Sequence, residues 1–166
     1  MRAGLFFAAA LALILNGAIF GFFYAWVCST MWGLDAADPS VAIAAMQAMN
    51  ASVRNVVFAP AFFATPFVLL LTAWLAQQQA NRAAAAAFGG AGAIYLFGGL
   101  VLTVLVNVPM NEALAEVRLP LPAEQAEAIW HAYSAPWQNW NLARTFASGL
   151  ALLLTGYGLY RSGPML

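Results

Sequence analysis

Four stretches of this 166-residue chain are long, apolar and free of acidic side chains: 3–30, 56–77, 83–106 and 137–161. The first three carry no charge, and the fourth carries only Arg144 and Arg161. A helix crosses a bilayer with about 20 apolar residues, because lipid leaves each segment to satisfy its own backbone N–H and C=O groups. All four stretches reach that length. Charged residues make up 7% of the chain, against roughly 25% in a soluble domain. The expected class is an all-α membrane protein, one domain over 1–166, folded as a four-transmembrane-helix bundle.

The connections between the spans are unequal. The turn 78–82 is short, whereas 31–55 and 107–136 are long and fall on one side of such a bundle. Each long connection is expected to hold a short amphipathic helix, over 39–54 and 123–134. Asp38-Pro39 reads as an N-cap followed by proline at the first helical position. Pro109 is expected to end the third span between Asn107 and Asn111, and Pro136 to divide the second short helix from the last span, since an internal proline removes one helical hydrogen bond. Leu119-Pro120-Leu121-Pro122 reads as an extended connector. Gly17 and Gly21 form a GxxxG pair, read mainly as ordinary helix packing.

Several functions are excluded by what the chain lacks. Net charge is zero and there is no lysine, so nucleic acid, which is held by phosphate neutralisation, is not an expected partner. Cys28 is the single cysteine and His131 the single histidine, so neither an internal disulfide nor an all-protein zinc site is available. A haem or copper held by the one histidine stays open, with Met46, Met49 or Met110 as second ligands, although these methionines sit in apolar context and read as packing. No cofactor is expected. The expected partners are membrane lipid and a small aromatic or quinone-like ligand.

Orientation rests on six arginines. Arg2, Arg82 and Arg161 fall on the short-turn side, and Arg54, Arg118 and Arg144 on the other. Setting aside Arg54 and Arg144, which stand at helix mouths where a site could claim them, the positive-inside rule places the termini in the cytoplasm. The expected location is a bacterial inner membrane, with the long connections on the opposite face.

The polar residues are not scattered. Gln47, Asn50, Arg54, Asn55, Asn107, Asn111, His131, Trp137, Trp140, Asn141 and Arg144 all map to the long-connection end. At the entrance to the last span, Trp137, Trp140, Asn141 and Arg144 are spaced i, i+3, i+4 and i+7, which puts them on one helical face. A guanidinium at mid-bilayer costs on the order of 2.5–3.5 kcal/mol, so partners inside the protein must compensate it. Two readings of the cluster stand. In one, the amides and Arg144 tie connector carbonyls together and the tryptophans form an interfacial belt. In the other, indoles and guanidinium line a slot for a flat ligand. Gln47, Asn50 and Arg54 share a stripe that faces either water or that slot. His131, with an unperturbed pKa near ~6.5, is the natural base, and Glu127 four residues before it is a candidate orienting partner.

Gly21-Phe22-Phe23-Tyr24-Ala25, the run Ala42 to Asn50, Asn107-Val108-Pro109-Met110-Asn111, and Trp137-Gln138-Asn139-Trp140-Asn141 with Arg144-Thr145 together resemble the anthrone oxygenase family of small four-helix membrane proteins. The resemblance implies oxidation of an anthrone-type, electron-rich aromatic by O2, with neither metal nor flavin. Residue chemistry then casts His131 as base, Arg144 as stabiliser of the ligand anion, and Asn107, Asn111 and Asn141 as positioning amides. Trp137 and Trp140 are cast as walls, with Asn50, Arg54, Asn55 and Gln47 contributing to binding. The competing expectation is a non-catalytic accessory subunit, or a binder of a quinone or lipid-soluble aromatic.

Overall fold

The computed structural model describes residues 3–163; Arg2, counted above in the charge balance, lies outside them. Among the described residues the chain is wholly helical, in five continuous helices. They are α1 (Ala3–Asp35), α2 (Pro39–Ser52), α3 (Phe58–Gln78), α4 (Arg82–Ala115) and α5 (Ala123–Ser162). The four longer ones are long and apolar enough to cross a membrane.

α1 packs on α3 and α5, and α4 packs on the same two helices, so α1 and α4 stand at opposite corners of a square. Two cores divide its length. Towards the short-turn end, Leu5, Ile19, Leu69, Phe88 and Tyr95 interlock. Asn16 crosses this core by donating to Thr155 Oγ1 at 3.2 Å. The backbones close up at Gly98, where a Cβ would lie 2.6 Å from Ala147, and at Gly158, packed on Phe88. Gly17 and Gly21 make no such close approach. At the turn itself, Asn81 caps α4 by accepting from Ala84 N–H and donates to the Arg161 carbonyl at 2.7 Å, which ties the turn to α5.

At the opposite end α2 lies across the bundle, with Ala42, Ile43 and Met46 buried against Trp130, Tyr133 and Trp137. Asp38 starts α2 as expected, its Oδ1 accepting from Ser40 N–H at 2.9 Å. Met46 is fully buried in this apolar cluster, and Met49 and Met110 pack on it.

Proline accounts for most departures from the sequence reading. Pro136 does not divide a short helix from a span. α5 runs unbroken for 40 residues through it. The proline removes the bond to the Ala132 carbonyl, but Asp35 of α1 splints the gap. Its carboxylate accepts from Trp130 Nε1 (3.0 Å) and Ser134 Oγ (2.6 Å) on one side and from Gln138 Nε2 (2.9 Å) on the other. Those donors are four residues apart, one turn each, and so straddle the proline on one face. Met31–Asp35, at the start of the long connection, is helical and continues α1.

Pro109 likewise fails to stop α4, which continues to Ala115. The segment Thr103–Asn107 just before it is a π-helix, and Pro109 falls in the first turn of the α-helix that resumes. At that position its missing N–H costs little. Pro66, inside α3, leaves the Phe62 carbonyl without its helical donor, and Tyr95 OH of α4 takes that carbonyl at 2.9 Å.

π-helical turns recur: Trp26–Thr30 in α1, then Leu96–Val101 and Thr103–Asn107 in α4. Such turns bond i to i+5, hold an extra residue, and concentrate at functional sites.

Candidate active site

The inner face of α5 carries Trp137, Asn141 and Arg144, all buried. Their spacing of four and then three residues keeps them on one stripe. Trp140 stands about 60° from Trp137 around the helix and is 44% exposed. The wall role expected of it passes to other rings.

Arg144 is only 5% exposed. Its Nη2 donates to Asn141 Oδ1 at 2.8 Å and its Nη1 to Thr103 Oγ1 at 3.2 Å. The Thr103 hydroxyl has its own proton committed to the Gly99 carbonyl at 2.6 Å, so it meets Arg144 as an acceptor. The guanidinium carbon lies 4.6 Å from the centre of the Phe23 ring and 5.3 Å from Trp137. Among the described residues no carboxylate lies within ion-pair distance of it, and Nε has no partner. Desolvating a cation costs several kcal/mol, which two aromatic faces and two neutral acceptors offset only in part. The positive charge is therefore largely uncompensated.

Asn141 locks this arrangement to α1: its Nδ2 donates to the Phe23 carbonyl at 3.1 Å. Asn111 does the same for α5. Its Oδ1 accepts from Trp137 Nε1 and Tyr133 OH, each at 2.8 Å. The two clamps between α4 and α5 are Thr103 to Arg144 and Asn111 to Trp137. They span eight residues on α4 and seven on α5. Seven residues make nearly two whole turns, whereas eight overshoot by about 80°. The π turn Thr103–Asn107 absorbs the extra residue and returns Asn111 to the face that Thr103 occupies.

Arg144 opens onto a cavity of about 650 Å³, within the usual ~300–1,000 Å³ of ligand sites. Its walls are aromatic, with Phe22, Phe23, Trp26, Phe58, Phe62 and Trp137. Phe22 and Phe58 stand 4.8 Å apart between ring centres, and Trp26 and Trp137 stand 5.1 Å apart. Asn50, Thr103 and Asn111 add polar atoms, and Arg54, Asn55 and Glu112 also line it. Arg54 Nη2 and Glu112 Oε1 pair at 3.4 Å, their side chains 62% and 60% exposed. Buried hydrogen-bonding atoms left unused on the wall are Asn50 Nδ2 and Arg144 Nε. Both are donors, so the complementary ligand brings acceptor oxygens or negative charge.

The expected residues thus sort into three groups. Asn50, Arg54, Asn55, Asn111, Trp137 and Arg144 line the cavity, and Asn141 orders Arg144 from behind. Gln47 and Asn107 do not line it. Gln47 clamps the end of α4, donating to the carbonyls of Leu114 (2.8 Å) and Val117 (2.9 Å). Asn107 is wholly buried between Thr103 and Asn111, and neither of its amide atoms has a partner. Asn55 has a second duty, accepting from Val57 and Phe58 N–H to start α3.

His131 is the clearest correction. Its side chain is 78% exposed on the outer face of α5, with Nε2 3.8 Å from Glu127 Oε1, and it does not line the cavity. A base must come within about 2.6–3.2 Å of the proton it removes, or reach it through one water, and the placement of His131 gives that role no support. Met49 lines the cavity and His131 does not. Among the described residues no three His, Cys, Asp or Glu side chains gather as a metal site. Sequence reasoning missed Thr103, Tyr133, Glu112 and the phenylalanine wall. A phenylalanine inside an apolar span carries no signal of its own, but Thr103, eight residues before Asn111, was open to discovery as part of a polar stripe.

Comparison with known proteins adds one finding. A family model described as anthrone oxygenase matches residues 49–154, which takes in every cavity-lining residue except Phe22, Phe23 and Trp26. No curated protein and no solved structure matches the chain.

Proposed function

This chain belongs to the anthrone oxygenase family, and we propose that it is an integral membrane monooxygenase that oxidises a flat, electron-rich aromatic of the anthrone type with O2, without a cofactor. The observation that carries the reading is Arg144, an uncompensated cation buried on the wall of an aromatic cavity. An anthrone carries a carbonyl opposite a CH2 group. Loss of one CH2 proton leaves an enolate, whose oxygen Arg144 would hold. Charge developing on oxygen is where preorganised donors act most strongly. The electron-rich anion passes an electron to O2, recombines to a peroxide at the same carbon, and loses water to leave a second carbonyl. The aromatic walls hold the ring system flat and exclude water from the anion. The four long apolar helices support a membrane location, in our reading the bacterial inner membrane with cytoplasmic termini.

The test is oxygen uptake by the purified, detergent-solubilised protein given anthrone, with Arg144→Ala alongside. Uptake above the spontaneous rate, quinone as product and loss with the variant are the expected results. A second reading, a binder of a quinone or similar aromatic, is favoured by one observation: the histidine expected to act as base stands outside the cavity. Saturable binding of anthraquinone with no oxygen uptake would select it.

A further inference from the structure

With His131 outside the cavity, proton removal needs another acceptor, and the cavity wall offers one. Of its lining residues, Glu112 alone has a side chain that accepts a proton at neutral pH. The wall otherwise supplies hydrocarbon, amides, one hydroxyl, the Met49 thioether, an indole N–H on each tryptophan and two guanidiniums. We infer that Glu112 is the general base of the oxygenase reaction; the inference rests on the function proposed above.

Three features of the surroundings suit that role. First, Glu112 directly follows Asn111, which Trp137 and Tyr133 both grip at 2.8 Å, so the backbone carrying the carboxylate is fixed relative to α5. Second, Arg54 engages Oε1 at 3.4 Å and leaves Oε2 without a partner among the described residues. Arg54 orients the carboxylate without occupying both oxygens. Third, the two charges lining the cavity differ in burial: Arg144 is inside at 5% exposure, and Glu112 is towards solvent with its side chain at 60%. An anthrone has its carbonyl at one edge and its acidic CH2 at the opposite edge. Seated with oxygen at Arg144, it turns the CH2 away from Arg144.

The step balances within the pair. The C–H bond breaks, its electron pair passes into the ring system as the enolate, and the proton moves to Glu112. The carboxylic acid so formed is exposed and returns its proton to water. No oxidant takes part until O2 meets the enolate.

Proton abstraction can be read without oxidation. Under anaerobic conditions in D2O, the intact protein in detergent should speed exchange of the CH2 protons of anthrone above the spontaneous rate, followed by NMR. Glu112→Gln should lower the enzymatic exchange rate by about 10²–10⁴ with anthrone affinity within about twofold. Added formate should restore part of the exchange in Glu112→Gly. A purely structural Glu112 would show neither the split between exchange and affinity nor the rescue. Exchange by Glu112→Gln at the wild-type rate overturns the role of Glu112 while leaving the oxygenase standing. Absence of exchange and of oxygen uptake by the wild-type protein overturns both.

Discussion

Arg144 donates to Asn141, one turn before it on α5, at 2.8 Å, and Asn141 passes the restraint on to the Phe23 carbonyl of α1. One amide thus uses both ends, as acceptor for a buried cation and as donor to a neighbouring helix. Asn141→Ala strands the guanidinium and the carbonyl together. A buried group left unpaired costs about 1–3 kcal/mol, more for a charge. Thermal unfolding in detergent should show a Tm several degrees below wild type. An unchanged Tm would mean that Asn141 carries no load.

Arg144→Met separates stability from function. It removes the several-kcal/mol desolvation cost of a buried cation without a carboxylate, which outweighs the cost of about 1–3 kcal/mol for leaving Asn141 Oδ1 unpaired. The Tm should match or exceed that of the wild type, while anthrone-dependent oxygen uptake falls by about 10²–10³. Equal loss of both would make Arg144 a structural residue.

Asn111→Leu removes the acceptor shared by Trp137 Nε1 and Tyr133 OH. Two donors go unpaired together, so the penalty is about 2–5 kcal/mol. It should be accompanied by a change in tryptophan emission, because Trp137 loses its only hydrogen bond among the described residues. Chemical unfolding with fluorescence detection reads both.

Tyr95→Phe leaves the Phe62 carbonyl, already deprived of its helical donor by Pro66, without the phenol that replaces it. The expected cost is about 1–2 kcal/mol in unfolding free energy. The cavity is untouched, so oxygen uptake at low temperature should stay at the wild-type level.

His131→Ala should leave Tm unchanged and oxygen uptake within about twofold of wild type, because its side chain is 78% exposed and its contact with Glu127 is a surface pair. A large loss of uptake would return His131 to the reaction.

Much of this fold was legible because hydropathy marks helices that are long and apolar enough to cross a membrane. The four long helices and the Asp38 cap were read from residues alone. The continuity of α4 and α5 was not, because the effect of a proline depends on what lies across from it. Pro136 is bridged by Asp35, about 100 residues away in the chain, and no local pattern reveals that. In the site, Trp137, Asn141 and Arg144 were legible from helical spacing, since α5 is regular there. Trp140 belongs to the same sequence pattern but lies at the edge of the face, where a small rotation decides between cavity and exterior. His131 was chosen for its chemistry, and chemistry does not report direction. Glu112 was passed over as one acid among six at that end, and only the cavity distinguishes it.

The mismatch of eight residues against seven between α4 and α5 has a consequence for reading kinship. A π turn is a one-residue insertion that the helix has absorbed without a loop. A relative lacking that residue would need no change of topology, yet an ungapped comparison across Thr103–Asn107 would pair each later position of α4 with the wrong neighbour. Its counterpart of Asn111 would then be sought one place too far along, about 100° around the helix. Residue equivalences in this segment are therefore best drawn from partners on α5, with the residue bonded to Arg144 and the residue bonded to Trp137 as the two fixed marks.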